Sequence, residues 1–155
     1  MESWPMPWVE RVKVDWSHWN FAAWLRKPLP DAILAGFDED DREFAIRFLE
    51  DVLARKGDDH DVLASLGHLY TEANRYREGL AVDRRLVALR PRDPTAHYNL
   101  ACSYSLLNRT KRAYLALKKA IRLGWRDRRH MEDDPDLENL RNAPWWDELL
   151  SGIKP

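Results

Sequence analysis

Three side chains of this 155-residue chain combine residue types and spacing that could bind a metal ion. His68 and Glu72 lie four residues apart, so a helix would place them on one side, a single turn from each other. Cys102 follows His68 by 34 residues. Imidazole, carboxylate and thiolate are all zinc ligands. Equivalent positions of neighbouring packed helices lie about 8–10 Å apart, however, which is too far for shared ligation. We therefore predict no metal site and assign these side chains to packing and to the lining of a surface.

The sequence contains no other arrangement typical of catalysis. Its six glycines are scattered and form no phosphate-binding loop, and no serine lies in the glycine-flanked turn of a hydrolase nucleophile. Adjacent acids such as Asp133 and Asp134 are typical of helix caps. We expect His97 to pack between helices and His130 to lie in a turn. The chain is therefore predicted not to be an enzyme and to hold no cofactor.

The charges of the chain are nearly balanced, with 25 Lys and Arg against 26 Asp and Glu and a net charge of -1. This balance gives no overall attraction to nucleic acid or anionic lipid. Residues 109–129 are locally basic, with Asp127 as their one acid, and we interpret them as a solvated helix face. A nucleic-acid site would also need free aromatic rings, whereas Tyr114 and Trp125 are expected to be packed.

The cellular compartment is predicted from the cysteine content and from apolar runs. Cys102 is the single cysteine, which excludes an intramolecular disulfide and agrees with a reducing compartment. The first residues lack the basic start and apolar run of a signal peptide, and nowhere do about 18 apolar residues follow one another. We expect a cytoplasmic protein that is not anchored in a membrane.

An internal repeat of 34 residues predicts the helices that position these side chains. Apolar residues recur at spacings of three and four on both sides of a central asparagine, so each copy predicts two amphipathic helices. Asp93 followed by Pro94 is typical of a helix start, and His60-Asp61 marks the same start one copy earlier. Identical residues coincide at several places in the two copies, among them Leu66 with Leu100, Tyr70 with Tyr104, Asn74-Arg75 with Asn108-Arg109, Leu89 with Leu123, and Asp93 with Asp127.

Small residues stand where the two helices of each copy would approach closely, and tyrosines fill the space beside them. The small residues are Gly67, Gly79, Ala101 and Ala113. Together with the period, Tyr70 and Tyr104 at matching places, and Pro91 near the end of the first copy, this pattern resembles the tetratricopeptide repeat. The resemblance implies an all-α fold, namely a short right-handed α-solenoid of antiparallel helix hairpins with capping segments at both ends.

The repeat register divides the chain into segments of one domain. Residues 60–93 and 94–127 are two full copies, and residues 38–59 match the second half of a degenerate earlier copy. Residues 128–155 contain the runs DPDL and PWWDELL and resemble the terminal element of many bacterial tetratricopeptide proteins. Such an element implies a cap that covers the last apolar face while its acids face water. The covering residues would be Leu137, Leu140, Trp145, Trp146, Leu149 and Leu150.

Residues 1–37 are rich in tryptophan, and exposed tryptophans would favour aggregation. Three interpretations are open: a cap on the first repeat, a segment that forms a homodimer, or a docking surface for another protein. The docking surface would be made by Trp4, Trp8, Trp16 and Trp19.

The tetratricopeptide resemblance implies a binding groove, because the first helix of each repeat commonly lines a concave side that holds a peptide. Asn99 can pair with a peptide backbone and Tyr98 offers an amphipathic contact surface. We expect a non-catalytic adaptor or scaffold that binds a protein or peptide; the alternative is a self-assembling module that dimerises through its N-terminal segment. The predicted groove residues are Ser65, His68, Glu72, Thr95, Tyr98, Asn99, Cys102 and Ser105.

Overall fold

The computed structural model describes residues 39–153, with side chains from residue 41 onward. Every regular element in this part of the chain is helical, which confirms the predicted all-α fold for it. The segment 1–37, with Trp4, Trp8, Trp16 and Trp19, lies outside the described residues. Its roles as a cap, a dimer interface or a docking surface therefore stay predictions.

Five long helices form the first part of the described chain, and each packs against the next one along the sequence. They are α1 (Glu39–Lys56), α2 (His60–Glu72), α3 (Tyr76–Leu89), α4 (Pro94–Leu106) and α5 (Thr110–Leu123). Residues 128–153, here the C-terminal segment, form the short helices α6 (Arg128–Asp133), η1 (a 3-10 helix, Pro135–Leu137), α7 (Glu138–Arg141) and α8 (Trp146–Ser151).

The helices α2 and α4 begin in the same way, 34 residues apart. The Asp59 carboxylate accepts hydrogen bonds from the amides of Asp61 and Val62, at 3.0 and 3.2 Å. Asp93 accepts from Thr95 and Ala96, at 2.8 and 3.4 Å. These side chains satisfy amides that have no partner within a helix. The predicted helix starts at His60 and Pro94 are confirmed.

The turns from α2 to α3 and from α4 to α5 also match. Asn74 and Asn108 both have positive φ, 58° and 55°, a left-handed conformation that asparagine tolerates better than most residues. The following amides bond back to tyrosine carbonyls, Arg75 to Tyr70 at 2.7 Å and Arg109 to Tyr104 at 2.8 Å. The 34-residue repeat of the sequence is thus also a repeat of backbone geometry.

Close approach of the paired helices depends on small residues, as predicted. The small residues all lie within the helix pairs and are buried there: Gly67, Gly79, Ala101 and Ala113. A Cβ atom on Gly79 would lie 3.6 Å from the Cβ of Tyr70 and 3.8 Å from the carbonyl oxygen of Gly67. The two helices of the first pair therefore leave room for little more than a methyl group at this place.

The apolar core of the described residues forms two clusters. The first joins α1, α2 and α3 with Ala96 at the start of α4. The second joins α4, α5 and the C-terminal segment. Of the predicted cap residues, Leu137, Leu140, Leu149 and Leu150 are buried in this second cluster, whereas Trp145 and Trp146 are half-buried. The C-terminal segment therefore covers an apolar face, as its sequence predicted.

Candidate functional site

The eight predicted groove residues lie on α2 and α4, but only half of them are accessible. His68, Glu72 and Thr95 are exposed, and Asn99 is half-buried. The remaining four are buried, so they offer no open contact surface: Ser65, Tyr98, Cys102 and Ser105.

Tyr98 is covered by the C-terminal segment and by the loop before it. Its ring stacks on Trp125 with the ring centroids 4.0 Å apart and an angle of 14° between the planes. Its hydroxyl donates to Asp134 at 2.7 Å. Burial is the main reason that the pKa of Tyr98 is raised above its ordinary range. The prediction that Tyr98 offers a surface to a peptide is wrong, because the chain's own residues occupy that surface.

Ser105 and Cys102 are enclosed by the same segment. The side-chain amide of Asn139 donates to the carbonyl oxygen of Ser105 at 2.8 Å, and within the described residues the Ser105 hydroxyl is buried without a hydrogen-bond partner. The Cys102 thiol contacts a carboxylate oxygen of Asp134 at 3.6 Å. Burial raises the pKa of this thiol well above its ordinary value, so it stays protonated. Neither residue is available to a ligand in this conformation.

Two carboxylates that sequence reasoning did not place at the site lie beside Cys102. Ligand-type atoms of Cys102, Asp134 and Asp136 all lie within 4.8 Å of one another. Both oxygens of Asp134 are nevertheless engaged, one by the Asp136 amide at 2.9 Å and the other by Tyr98. We assign Asp134 to capping η1 and to holding that helix on α4.

The half-buried positions of Asp134 and Asp136 correct the expectation that all the acids of the cap face water. They lie against α4 because η1 packs there. Sequence spacing could not reveal this contact, since the contacting residues are more than 30 positions apart.

His97 was expected to pack between helices and His130 to lie in a turn, and the prediction for His130 is wrong. His130 lies in α6 and not in a turn, with its ring 5.5 Å from that of Tyr98. His97 is packed as expected, with its Nε2 atom 2.9 Å from the carbonyl oxygen of Pro91. The turn prediction failed because α6 is short and its start is set by Asp127, whose carboxylate accepts from the His130 amide at 2.9 Å.

Asp136 extends the accessible part of the site from α2 to η1. Burial raises the pKa of its carboxyl group, as do Asp134 and Glu72, while His68 lowers it. His68 and Glu72 therefore lie within electrostatic reach of Asp136. We call the surface made by His68, Glu72 and Asp136 the inner surface. It carries two carboxyl groups and one imidazole, so its balance of charge is acidic.

Comparison with known proteins finds one partial likeness. The chain is 33% identical over 87 residues to a chloroplastic protein of Arabidopsis thaliana. The match covers 54% of this chain and 26% of that protein, so the chain spans about a quarter of the length of this relative. No family model and no solved structure matches the chain.

The predicted cytoplasmic location is not settled by these findings. None of the helices within residues 39–153 is both long and apolar enough to cross a membrane. The name of the Arabidopsis relative places that protein in the chloroplast. The cytoplasmic location of this chain stays a prediction.

Sequence reasoning also missed a buried carboxyl group at the junction of three helices. Asp83 on α3 accepts a hydrogen bond of 2.5 Å from the Ser103 hydroxyl on α4. A Cβ atom on Gly67 of α2 would lie 3.1 Å from Asp83. The repeat could have indicated this burial. At the 34-residue offset Asp83 corresponds to Leu117, an apolar residue that is fully buried in the second copy.

Proposed function

We propose that this chain is a tetratricopeptide-type α-solenoid that binds an extended, basic segment of a partner protein on its inner surface. It acts as an adaptor or scaffold and carries out no chemical step. The observation that carries the proposal is the 34-residue repeat in backbone geometry, with matching caps at Asp59 and Asp93 and matching turns at Asn74 and Asn108. Repeated helix pairs of this kind stack on their neighbours and present a continuous surface.

The position of the C-terminal segment limits where a partner would bind. It covers Tyr98 and Cys102 on α4, so the accessible contacts come from α2, from the edge of α4 at Thr95 and Asn99, and from Asp136 on η1. A short surface of this size supports a modest interface that depends on a few well-placed contacts.

The charge of the inner surface favours a basic partner segment. Glu72 and Asp136 supply negative charge, and Glu72 raises the pKa of Asp136, which means that the two carboxylates repel each other. A lysine or arginine between them would relieve this repulsion and form charge-assisted hydrogen bonds. Asn99 would pair with the backbone of the bound segment.

An array of synthetic peptides tests this proposal. The peptides carry lysine or arginine at varied spacing, and a matched set carries glutamine in their place. We expect the full chain to retain basic peptides and the variant Glu72→Lys to bind them about tenfold more weakly, which corresponds to about 1.4 kcal/mol. Glu138→Lys is the matched control, because Glu138 is exposed on α7 and its side chain is not part of the inner surface.

Equal retention of the basic and glutamine peptides, or equal binding by wild type and Glu72→Lys, would refute the inner surface as the binding site. Light scattering on the full chain and on a chain lacking residues 1–30 accompanies the array. A dimer that becomes a monomer on truncation would favour the alternative of self-assembly through the N-terminal segment.

A further inference from the structure

The outward side of α5 exposes a leucine that is surrounded by positive charge. Leu115 is 60% exposed. Its helical neighbours three and four positions away are Lys111, Arg112, Lys118 and Lys119. We call these five residues, together with Arg122 one turn further on, the basic outer face. Helix α5 contains no acidic residue between Thr110 and Leu123.

Most of this charge is not neutralised within the described residues. Lys118 pairs with Glu148 at 2.8 Å. Arg112 has its guanidinium carbon 5.9 Å from the centre of the Tyr104 ring. No ion pair is formed there by Lys111, Lys119 or Arg122 within residues 41–153. The face therefore differs from a surface whose charges pair with one another.

The placement of these charges is also unfavourable for the helix itself. Lys111 and Arg112 lie in the first turn of α5, where the helix dipole favours acids. The equivalent turn of α3 contains Glu78, and that of α2 contains Asp61. Like charges one turn apart, as at Lys118 and Arg122, repel each other. A local arrangement that opposes helix stability is commonly found where a surface serves binding.

Features on both sides enlarge the face beyond α5. Arg84 of α3 donates two hydrogen bonds of 3.3 Å to the Tyr104 hydroxyl, so it meets Arg112 around the same ring. On the other side, a groove of about 330 Å³ lies between α5 and α8. Ile121 and Leu149 supply its apolar lining; the charged residues around it are Lys118, Arg122, Arg126 and Glu148.

We propose that the basic outer face binds an acidic amphipathic helix of a partner protein. Leu115 and Arg122 are seven residues apart, which is about 10 Å along α5. A partner helix with apolar side chains at the same spacing would contact Leu115 with one of them and the groove, which Arg122 also lines, with the other. Its flanking carboxylates would pair with Lys111, Lys119 and Arg122. This site goes beyond the proposed function, since it lies on a different helix from the inner surface and selects the opposite charge.

The same observations argue against two other negatively charged partners, namely nucleic acid and an anionic membrane. Nucleic acid would need free rings for base stacking. The Tyr104 ring, however, has the guanidinium groups of Arg84 and Arg112 within 5.9 Å of its centre, and the Tyr114 ring lies 5.5 Å from the Trp145 ring. A membrane surface would need a broad apolar face that enters the lipid, whereas Leu115 is a single exposed apolar residue among the cations of α5.

Fluorescence anisotropy with a labelled synthetic helix tests the proposal on the full chain. The peptide carries leucines seven residues apart with flanking glutamates, and its matched control carries glutamines. We expect the glutamate peptide to bind at least about tenfold more tightly than the glutamine peptide. We also expect its affinity to fall when salt is raised from about 50 mM to about 200 mM, because salt screens exposed charges.

Two variants and two matched controls locate the binding. Lys119→Glu and Leu115→Ser should each weaken binding of the glutamate peptide about tenfold. Arg92→Glu makes the same charge change at an exposed site outside α5. Leu89→Ser alters another large exposed hydrophobic residue of the described part of the chain, which is 44% exposed on α3. Both controls should bind like wild type.

Several results would overturn the proposal. These are equal binding of both peptides, equal effects of the variants and their controls, or tighter binding to a uridine oligonucleotide or to phosphatidylserine vesicles than to the glutamate peptide. The Glu72→Lys variant distinguishes binding at the basic outer face from binding at the inner surface. It should bind basic peptides about tenfold more weakly and bind the glutamate helix like wild type, whereas Lys119→Glu should weaken only the binding of the glutamate helix.

Discussion

At the scale of single residues, the most unusual environment is that of Asp83. Its carboxyl group is buried where α2, α3 and α4 meet, and it accepts a hydrogen bond from the Ser103 hydroxyl there. Burial raises the pKa of Asp83 from its ordinary value of 3.8 to about 6, although the hydrogen bond from Ser103 acts in the opposite direction. At neutral pH the chain therefore holds a buried carboxylate that would be more stable in water.

We predict that Asp83→Asn raises the free energy of unfolding at pH 7. A carboxyl group whose folded pKa is raised stabilises the fold while it is protonated, and this contribution is lost as pH rises from about 4 through about 6. The difference between the ordinary pKa of 3.8 and the folded pKa of about 6 corresponds to about 3 kcal/mol. An asparagine side chain does not ionise, so it avoids this loss of stability, and it still accepts a hydrogen bond from Ser103. The free energy of unfolding of Asp83→Asn should therefore exceed that of wild type by about 1–3 kcal/mol at pH 7, and the difference should vanish near pH 4.

Urea unfolding of wild type and Asp83→Asn between about pH 4 and about pH 7 measures this gain. Asp147→Asn is the control at an exposed carboxyl group. A difference between wild type and Asp83→Asn that does not change with pH would contradict the prediction, because only the titration of Asp83 makes the gain depend on pH.

The sequence could predict which residues cap the helices. It could not predict which residues are buried by segments distant in the chain. Asp93 before Pro94 has a local role, because its partners are amides two and three residues away. The burial of Tyr98 depends instead on Trp125 and Asp134, which are 27 and 36 residues further along the chain and contact Tyr98 in the folded protein. Periodicity along one helix carries no information on such a contact.

At the scale of helices, α2 and α3 approach each other through two glycines that meet different surroundings. An added Cβ atom at Gly79 would make ordinary contacts of 3.6 Å and longer, while one at Gly67 would lie 3.1 Å from an oxygen of Asp83. In the second copy of the repeat the corresponding residues are Ala101 and Ala113, and both are buried. The alanine at these places is thus compatible with a closely packed helix pair.

We predict that Gly79→Ala stabilises the protein and that Gly67→Ala does not. Alanine in a helix interior is favoured over glycine by about 0.5–1 kcal/mol, because glycine loses more conformational freedom on folding. At Gly67 the crowded Asp83 carboxyl group offsets this gain. Thermal and urea unfolding of the two variants provide the comparison. A Gly79→Ala protein less stable than wild type would contradict the prediction, because it would mean that α2 and α3 leave no room for a methyl group at this place.

Helix boundaries were the part of the fold that the sequence predicted best. Their signals, namely caps, turns and periodic apolar residues, are local. The half repeat predicted at residues 38–59 contains α1 (Glu39–Lys56). Whether the helix pairs belong to the tetratricopeptide class stays a prediction.

At the scale of the whole molecule, the two apolar clusters are joined mainly along α3 and α4. Ala96 of α4 packs in the first cluster, and polar bonds cross the same boundary. Asp83 bonds to Ser103 and Arg84 to Tyr104, while the His60 ring lies 3.2 Å from the Asp93 carboxylate. In linear arrays each unit contacts only its neighbours, so the clusters should differ in local stability.

We predict that weakening one cluster loosens that part of the chain first. Leu140→Ala removes a fully buried side chain from the second cluster and should cost about 2–4 kcal/mol. In hydrogen exchange followed by mass spectrometry, amides of α4 and α5 should then lose more protection than those of α2. Leu63→Ala, at a fully buried place in the first cluster, should give the opposite order. An equal loss of protection in all three helices would mean that the described chain unfolds as one cooperative unit.

The helix pair α2 and α3 lies between two capping aspartates, Asp59 and Asp93. A gene can therefore duplicate this pair without changing the residues that cap the helix at either junction. An in-frame duplication of residues 60–93 would place a second copy of His60 directly after Asp93, and the new pair would meet a surface like that of α3 on one side and a helix like α4 on the other. Insertions whose length is not a multiple of 34 residues would shift the caps and the asparagine turns out of register. Evolution can therefore lengthen such a chain in steps of one unit, with both ends left as they are.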